Sequence, residues 1–577
     1  MSPTCVCRGG SLGGIWRLGE AGMDGLFTRH RHLVEAALAA QATRGFWAPF
    51  SEIPSGKIYG ETAKEDGLAA FGALRDKPFI LPNHPETGRV GGEVSPFGPA
   101  LGITYPAAPI DALVTAAQSS APQWAALTPA QRTGLCVEMV LRLNALSFTM
   151  AHAVTHTTGQ AFAMAFQAGG PHAQDRALEA IVTAYADMTR TPDSAIWTKP
   201  QGKAAPIVLE KHWRIIPRGI GLVIGCQTFP TWNTYPGLFA SLVTGNPVIV
   251  KPHPAAILPL ALTVSVIRDV LAEFRLPRDL VLLAADQTGH EITKTLVQHP
   301  AISIIDYTGS NAFGTWVKNH APQAQIYTEE AGVNTMTLAA TNDFAGMCAN
   351  IAFSLSLYSG QMCTAPQTLF IPVDGIDTDQ GHKSFDEVCR ALATAIDDLL
   401  SDPARAAGVC GAIANPATLE RLQLLRERWL GEGGTVVRES ATLASGRTAT
   451  PLLLAASADH TALYQDEWFG PIAFLVSVGD ADSGIARAAH LARSKGAITA
   501  ALYDLDEQRI NRAIDAFGLA GVNLSINLTG SIYVNQSAAF SDYHVTGANP
   551  AGNASLTDTA FVANRYRVAM WRRPTGV

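Results

Sequence analysis

The sequence predicts an α/β protein built on parallel sheet covered by helices on both faces, and three observations carry this. From Ile215 onward, short apolar runs rich in β-branched residues alternate with helical stretches at the spacing of strand–helix units. A helix-rich region, residues 110–190, precedes them. The chain has 577 residues, 47% hydrophobic and 16% charged, which supplies a large core and implies two or more domains.

Residues 1–22 are Gly-rich with scattered Arg and lack a continuous apolar run, so they do not read as a secretory signal. Translation is expected to begin naturally at Met23. Residues 26–40 place Leu26, Leu33, Ala37 and Ala40 on one helical stripe, and no chemistry is assigned between residues 26 and 80. Helices are predicted over 112–117, 129–148 and 175–188. His152 and His156 have i,i+4 spacing but lack the Glu that would make a zinc motif persuasive, so a structural role is expected, and no metal. Strands are then predicted at 219–225 (GIGLVIG), 247–251 (PVIVK), 279–284 (DLVLLA) and 302–307 (ISIIDY). Helices fill 236–243, 255–274 and 291–298 between them. This alternation is the architecture that binds dinucleotides at strand C-termini.

A formal charge of −7 without Lys/Arg runs gives no general attraction to nucleic acid or to an anionic membrane. The most apolar long segment, 255–270, is interrupted by Pro259 and is too short to span a bilayer. Eight dispersed cysteines read as the usage of a reducing cytoplasm, without a disulfide framework. Small molecules and further copies of the chain are the expected partners.

Two stretches point to chemistry. After the strand at 302–307, Thr308-Gly309-Ser310-Asn311 leads into a helix at 312–319, whose free N–H groups could seat a pyrophosphate; a plain strand-to-helix turn is the alternative. Phe344, Cys348, Ile351, Leu355 and Tyr358 recur at helical spacing, and Ser359-Gly360 breaks that helix just before Gln361-Met362-Cys363. A thiol in such a loop is a nucleophile if a neighbour lowers its pKa, and otherwise an inert buried Cys.

The ensemble decides between these. Gly360-Gln361-Met362-Cys363 resembles the active-site motif of the aldehyde dehydrogenase superfamily. Thr328-Glu329-Glu330-Ala331-Gly332 resembles its Leu-Glu-Leu-Gly-Gly element, with Glu329 34 residues before Cys363. Asp466-Glu467-Trp468-Phe469-Gly470-Pro471 resembles Glu-x-Phe-Gly-Pro, and residues 245–252 (GNPVIVKP) resemble Gly-Asn-x-x-x-x-Lys-Pro. More narrowly, 162–176 (FAMAFQAGGPHAQDR) and the long N-terminal segment resemble the phenylacetate-degradation aldehyde dehydrogenases of the PaaN type. The resemblance implies two doubly wound Rossmann-type α/β domains, a small oligomerisation strand element and a helical N-terminal extension. These fall at 1–90 (extension), 91–330 (dinucleotide-binding, with a bridging segment near 197–216), 331–545 (catalytic) and 546–577 (tail with the oligomerisation strand).

It also implies roles. Cys363 would attack an aldehyde and pass through a thiohemiacetal and a thioester. Glu329 would act as base on the hydrolytic water and help deprotonate the thiol, with a pKa raised towards neutrality by an apolar site. Lys251 would hold the adenosine ribose, Gly309 and Ser310 the pyrophosphate and nicotinamide, Glu467 the nicotinamide ribose with Phe469 flanking it, and Phe540 would line the substrate tunnel. The usual oxyanion Asn is replaced by Thr228 in Cys226-Gln227-Thr228-Phe229-Pro230, with Asn233 as the second candidate. The acid that binds the ribose 2′-hydroxyl in NAD-preferring members is replaced by Pro254, which favours NADP over NAD. Residues 561–571 (FVANRYRVAMW) alternate like an edge strand, implying a homodimer or homotetramer. Three readings follow: oxidation of an aldehyde to an acid, from phenylacetate or related aromatic degradation and with or without a coenzyme A thioester; a CoA-acylating relative; and a non-catalytic binding member.

Overall fold

The computed structural model describes residues 22–575 other than Ala331. Residues 1–21 therefore lie outside the described residues, and with them the expectation of a start at Met23. Two mainly parallel sheets form the body. The first runs, in spatial order, Val281–Leu283, Val248–Lys251, Ile220–Ile224, Ile302–Gly309, Gln325–Glu330, all parallel. Its strands are almost entirely buried because they are continuous apolar runs with helices on both faces. Chain order moves outward in one direction from Ile220–Ile224 and in the other from Ile302–Gly309. Ile224 pairs with both Lys251 and Tyr307, so the carboxyl ends of these strands open together at the switch point.

The second sheet has seven strands: Thr435–Arg438, Leu452–Ser457, Ile472–Val478, Thr368–Pro372, Thr335–Leu338, Thr499–Tyr503 and Asn523–Ile526. Only the edge pair Thr435–Arg438 and Leu452–Ser457 is antiparallel. Ser194–Gln201, Ala204–Pro217 and Tyr566–Pro574 make a separate antiparallel sheet with Ala204–Pro217 in the middle. Ile196, Trp197, Val568, Met570 and Trp571 are exposed on it.

The N-terminal segment is part of the first core. In the helix Met23–Thr43, Leu26, Val34 and Ala37 are buried against Pro129–Ala145, each large aliphatic contributing about 1.5–3 kcal/mol. Gly134 permits this approach, since a Cβ there would lie 2.6 Å from the Phe27 nitrogen. Beyond the helix, Arg44 donates to Tyr543 Oη (2.6 Å) and Trp47 packs edge-on against Phe540. The segment thus braces the C-terminal part of the chain.

Several boundaries differ from expectation. The helix predicted over 129–148 is two, Pro129–Ala145 and Ser147–Thr158, bent by 71° at Leu146. The Ser147 hydroxyl donates to the Asn144 carbonyl at the corner (2.8 Å), and the bend seats Phe148 against Tyr59 and Phe166. No single described helix is long and apolar enough to cross a membrane. The helix expected at 236–243 begins at Pro230, whose missing N–H costs nothing in the first turn. Residues 279–280 form a 3₁₀ turn rather than strand, and Phe561 and Val562 are buried in a short helix, Thr559–Ala563, before the tail strand begins at Tyr566.

Candidate active site

The helix Phe344–Ser356 is capped by Asp343, whose carboxylate accepts from the Gly346 N–H at 2.9 Å. Tyr358, Ser359 and Gly360 then adopt left-handed backbone in succession, with φ of 50°, 51° and 65°. For the two non-glycine residues this costs about 1–3 kcal/mol each. Buried hydrogen bonds hold the turn: Tyr358 Oη to the Thr158 carbonyl (2.6 Å), and Ser359 Oγ to those of Ala449 (2.7 Å) and Cys410 (3.1 Å). Gly360 is required as well, because a Cβ would collide with the Gly470 carbonyl. Gln361 ties the loop to Ala412 and Ala414. The Asn334 amide donates to the carbonyls of Cys363 (2.8 Å) and Ala365 (3.0 Å), while its oxygen accepts from Ile498 and Thr499. Cys363 emerges partly exposed from a rigid turn.

Around its sulfur the structure gathers residues from three distant parts of the chain. His544 Nε2 lies 3.5 Å from Cys363 Sγ and 2.9 Å from Glu329 Oε1. Asn233 Nδ2 donates to Glu329 Oε2 at 3.0 Å, and Trp232 meets the His544 ring edge-on. Glu329 is the last residue but one of the strand Gln325–Glu330, and Asn233 sits in the first turn of Pro230–Val243. Residues 544–553 reach this edge because Asn553 bonds the backbone of Ile326 and Thr328. Among the described residues, Cys363, Glu329 and His544 form the one group of His, Cys and carboxylate side chains with metal-ligand spacing. His152 and His156 instead pack on Phe71.

The expected rise in the Glu329 pKa is not what the site produces. Burial does oppose its charge, but His544 beside it, together with the Cys363 thiol and Asn233, outweighs burial and holds the carboxyl below the usual range. The Cys363 thiol moves the other way, pushed well up by burial and then by the Glu329 charge. Thr228 stands further along: its hydroxyl faces Cys226 Sγ at 3.9 Å and its carbonyl accepts from Gln160 at 2.7 Å. Of the two oxyanion candidates, Asn233 is the one bonded to Glu329.

On the coenzyme side, Lys251 is buried and its Nζ meets Asp286 Oδ1 at 2.7 Å and the Pro252 carbonyl at 2.6 Å. Asp286 follows the neighbouring strand Val281–Leu283 and also accepts from the Ile292 N–H at 3.0 Å. Gly309 ends its strand beneath Tyr307, where a Cβ would strike the phenol ring, and Ser310 caps the helix Asn311–His320. This bare glycine before a helix N-terminus fits a pyrophosphate. Glu467 is half-buried, its carboxyl pushed up to about 7 by desolvation, with Arg421 opposing. Phe469 follows it, half-buried, its carbonyl accepting from Arg421 at 3.3 Å. Gln367 anchors this loop through the Trp468 N–H (2.7 Å) and the Asp466 carbonyl (3.0 Å). Phe540 is fully buried in the first core against Trp47. Reading the sequence missed His544, Asp286 and Asn334: each lies outside a local pattern and joins the site only through the fold.

The chain belongs to the aldehyde dehydrogenase family, whose profile residues 104–553 match. It is 26% identical over 359 residues to the 1-pyrroline-5-carboxylate dehydrogenase of Bacillus subtilis (strain 168), a match covering 61% of this chain and 66% of that protein. The counterpart from Bacillus licheniformis is 26% identical over 330 residues, 55% of this chain and 60% of that one. A crystal structure of an NAD-dependent aldehyde dehydrogenase from Burkholderia multivorans superposes with a TM-score of 0.93 at 49% identity, over 96% of this chain and 99% of that one. The 1-pyrroline-5-carboxylate dehydrogenase from Thermus with bound NAD shares the fold, with a TM-score of 0.69 at 18% identity over 92% and 99% of the two chains.

Proposed function

We propose that this protein oxidises an aldehyde to a carboxylic acid with NAD(P), Cys363 being the nucleophile and Glu329 the base for hydrolysis. The observation that carries the reading is the contact set of one partly exposed thiol, a carboxylate held in its charged form and an amide donor, Asn233, on that carboxylate. Cys363 bonds to the carbonyl carbon, and Asn233 or Thr228 donates to the oxygen that gains charge. The nicotinamide, when bound, supplies the hydride acceptor. Glu329 then takes a proton from the water that attacks the thioester. Lys251, Gly309, Ser310, Glu467 and Phe469 would hold the dinucleotide. Asp286 supports NAD as the preferred coenzyme: it restores beside Lys251 the negative charge that Pro254 lacks, and so reverses the preference for NADP argued from the loop alone. The exposed edge of Tyr566–Pro574 supports pairing with a second copy.

For substrate we favour a semialdehyde of phenylacetate or related aromatic degradation, supported by the resemblance of 162–176. The relatives named 1-pyrroline-5-carboxylate dehydrogenases make that compound the competing candidate. Glu329 argues against CoA acylation, because thiolysis needs no base for water. The test is coenzyme reduction over a panel of aromatic-derived semialdehydes and 1-pyrroline-5-carboxylate, with NAD or NADP, with and without coenzyme A. Reduction that Cys363→Ala abolishes and coenzyme A does not accelerate is expected. Turnover that depends on coenzyme A would favour acylation, and no reduction in any mixture a non-catalytic protein.

A further inference from the structure

We propose that His544 is a catalytic residue of this site, taking the proton of Cys363 and pairing with the thiolate both when it attacks and when it leaves. The inference rests on the aldehyde-oxidising reading for its purpose, but the ion pair is a property of the resting protein and can be measured without substrate.

The geometry comes first. A single atom, His544 Nε2, faces Cys363 Sγ at 3.5 Å and Glu329 Oε1 at 2.9 Å, with the histidine and carboxylate side chains 4% and 5% exposed. On the other side of the ring, Nδ1 lies 3.5 Å from Ser537 Oγ, and Trp232 closes the edge. Arg176 holds the loop that carries this histidine at two points, donating to Ser537 Oγ (3.0 Å) and to the Asp542 carbonyl (3.2 Å). In the ion pair both ring nitrogens are protonated: Nδ1–H faces Ser537, whose oxygen can accept from both Nδ1 and Arg176, and Nε2–H faces Glu329 Oε1 and Cys363 Sγ.

The chemistry follows from charge. The half-buried Cys363 thiol resists ionisation, because burial and then the Glu329 charge push its pKa up, so a thiolate there needs a compensating positive charge. The groups facing the pair settle where a compensating charge can come from. Glu467 and Cys226 can add only negative charge, Asn233 and Ser537 are neutral, and Arg176 is committed to Glu179 and sits over the Trp232 ring. Among the described residues, only His544 can place a positive charge against both Sγ and Oε1. In the step, the S–H bond breaks, an N–H bond forms at Nε2, and the sulfur keeps the electron pair with which it bonds the aldehyde carbon. When the thioester is hydrolysed, water loses its proton to Glu329, the C–S bond breaks, and its pair returns to a sulfur already facing the imidazolium. Glu329 need not take the thiol proton first, and stays a carboxylate for the water.

The experiment is the rate of Cys363 alkylation by iodoacetamide from pH 5 to 10, followed by mass spectrometry of the Cys363 peptide in the full chain. Wild type is expected to retain near-maximal reactivity at pH 7. His544→Gln should slow alkylation at pH 7 by about a hundredfold and move the midpoint above about 9, the behaviour of a thiol without its counter-charge. Glu329→Gln should slow it less than about tenfold. A folded His544→Gln protein with the wild-type profile would overturn the proposal, as would a Glu329→Gln loss as deep as that of His544→Gln. If His544→Gln does not fold, thiolate absorbance near 240 nm that is lost in Cys363→Ala decides the matter in the wild type. Its presence below pH 7 is expected, and its appearance only above pH 9 overturns the pair. None of these readings depends on aldehyde turnover, so failure of the ion pair and failure of the oxidation reading are distinct results.

Discussion

The side-chain amide of Asn334 donates to the carbonyl of Cys363 at 2.8 Å, while its oxygen receives the N–H groups of Ile498 and Thr499. One residue just before the strand Thr335–Leu338 thus fastens the nucleophile's own peptide to the neighbouring strand Thr499–Tyr503. Replacing it by Ala leaves those donors and acceptors unpaired in a dry interior. Asn334→Ala is expected to cost about 2–4 kcal/mol in urea unfolding and to lower kcat at least about tenfold, with KM for the coenzyme little changed.

Asp286 places a carboxylate against Lys251, the residue that the resemblance assigns to the adenosine ribose. On the proposed preference for NAD, this charge opposes a 2′-phosphate. Asp286→Asn keeps the polar contact and removes the charge, so kcat/KM with NADP relative to NAD should rise by about tenfold or more. Steady-state kinetics with both coenzymes checks this.

Arg565 is fully buried and bidentate on Asp306, at 2.6 and 2.7 Å, and its guanidinium also lies over Tyr327 and Phe561. Breaking the pair from one side strands a charge. Arg565→Met should destabilise the protein by about 3–5 kcal/mol, and Arg565→Met with Asp306→Leu by clearly less, as read by thermal or denaturant unfolding.

His84 accepts the Leu283 N–H at Nε2 (3.0 Å) and donates from Nδ1 to the Pro85 carbonyl (2.8 Å), so the folded protein needs it neutral. Burial, with Arg268 nearby, pushes its pKa down to about 4 from 6.5. Between those values the unfolded chain binds a proton that the folded one refuses. The contribution is therefore complete above pH 6.5 and is lost as pH falls towards 4, up to about 3 kcal/mol. His156 and His253, also pushed to about 4 by burial, steepen the same window. Urea midpoints at pH 7.5 and 4.5 should converge partly in His84→Gln.

The outer edge of Tyr566–Pro574 exposes Val568 (45%) and Met570 (48%). If a second copy pairs there, Val568→Lys with Met570→Lys should shift the protein to monomers in light scattering, with the fold intact by circular dichroism.

What could be read from the chain beforehand was whatever lies close in sequence. Val248–Lys251 and Ile302–Gly309 announce themselves because a strand buried on both faces is an unbroken apolar run. Lys251, Glu329, Cys363 and Glu467 sit inside short motifs. The corner at Leu146 was hidden because the apolar period runs straight through it, and the early start at Pro230 because Pro236 stands within the same helix. His544 was invisible for a deeper reason: it reaches Cys363 across 181 residues and Glu329 across 215. The direction of the Glu329 shift was misjudged for that reason, since burial alone raises an acid and only the unseen imidazole lowers it.

The docking of Asn553 along Ile326 and Thr328 also bears on how the molecule is made. Synthesis completes the cysteine turn well before it supplies His544 and the stretch that fastens to the sheet edge. A half-made chain therefore carries Cys363 without His544 beside it. On the proposed His544 pairing, reactivity arrives with the closing of the last segment, so the step that finishes the fold is also the one that arms it.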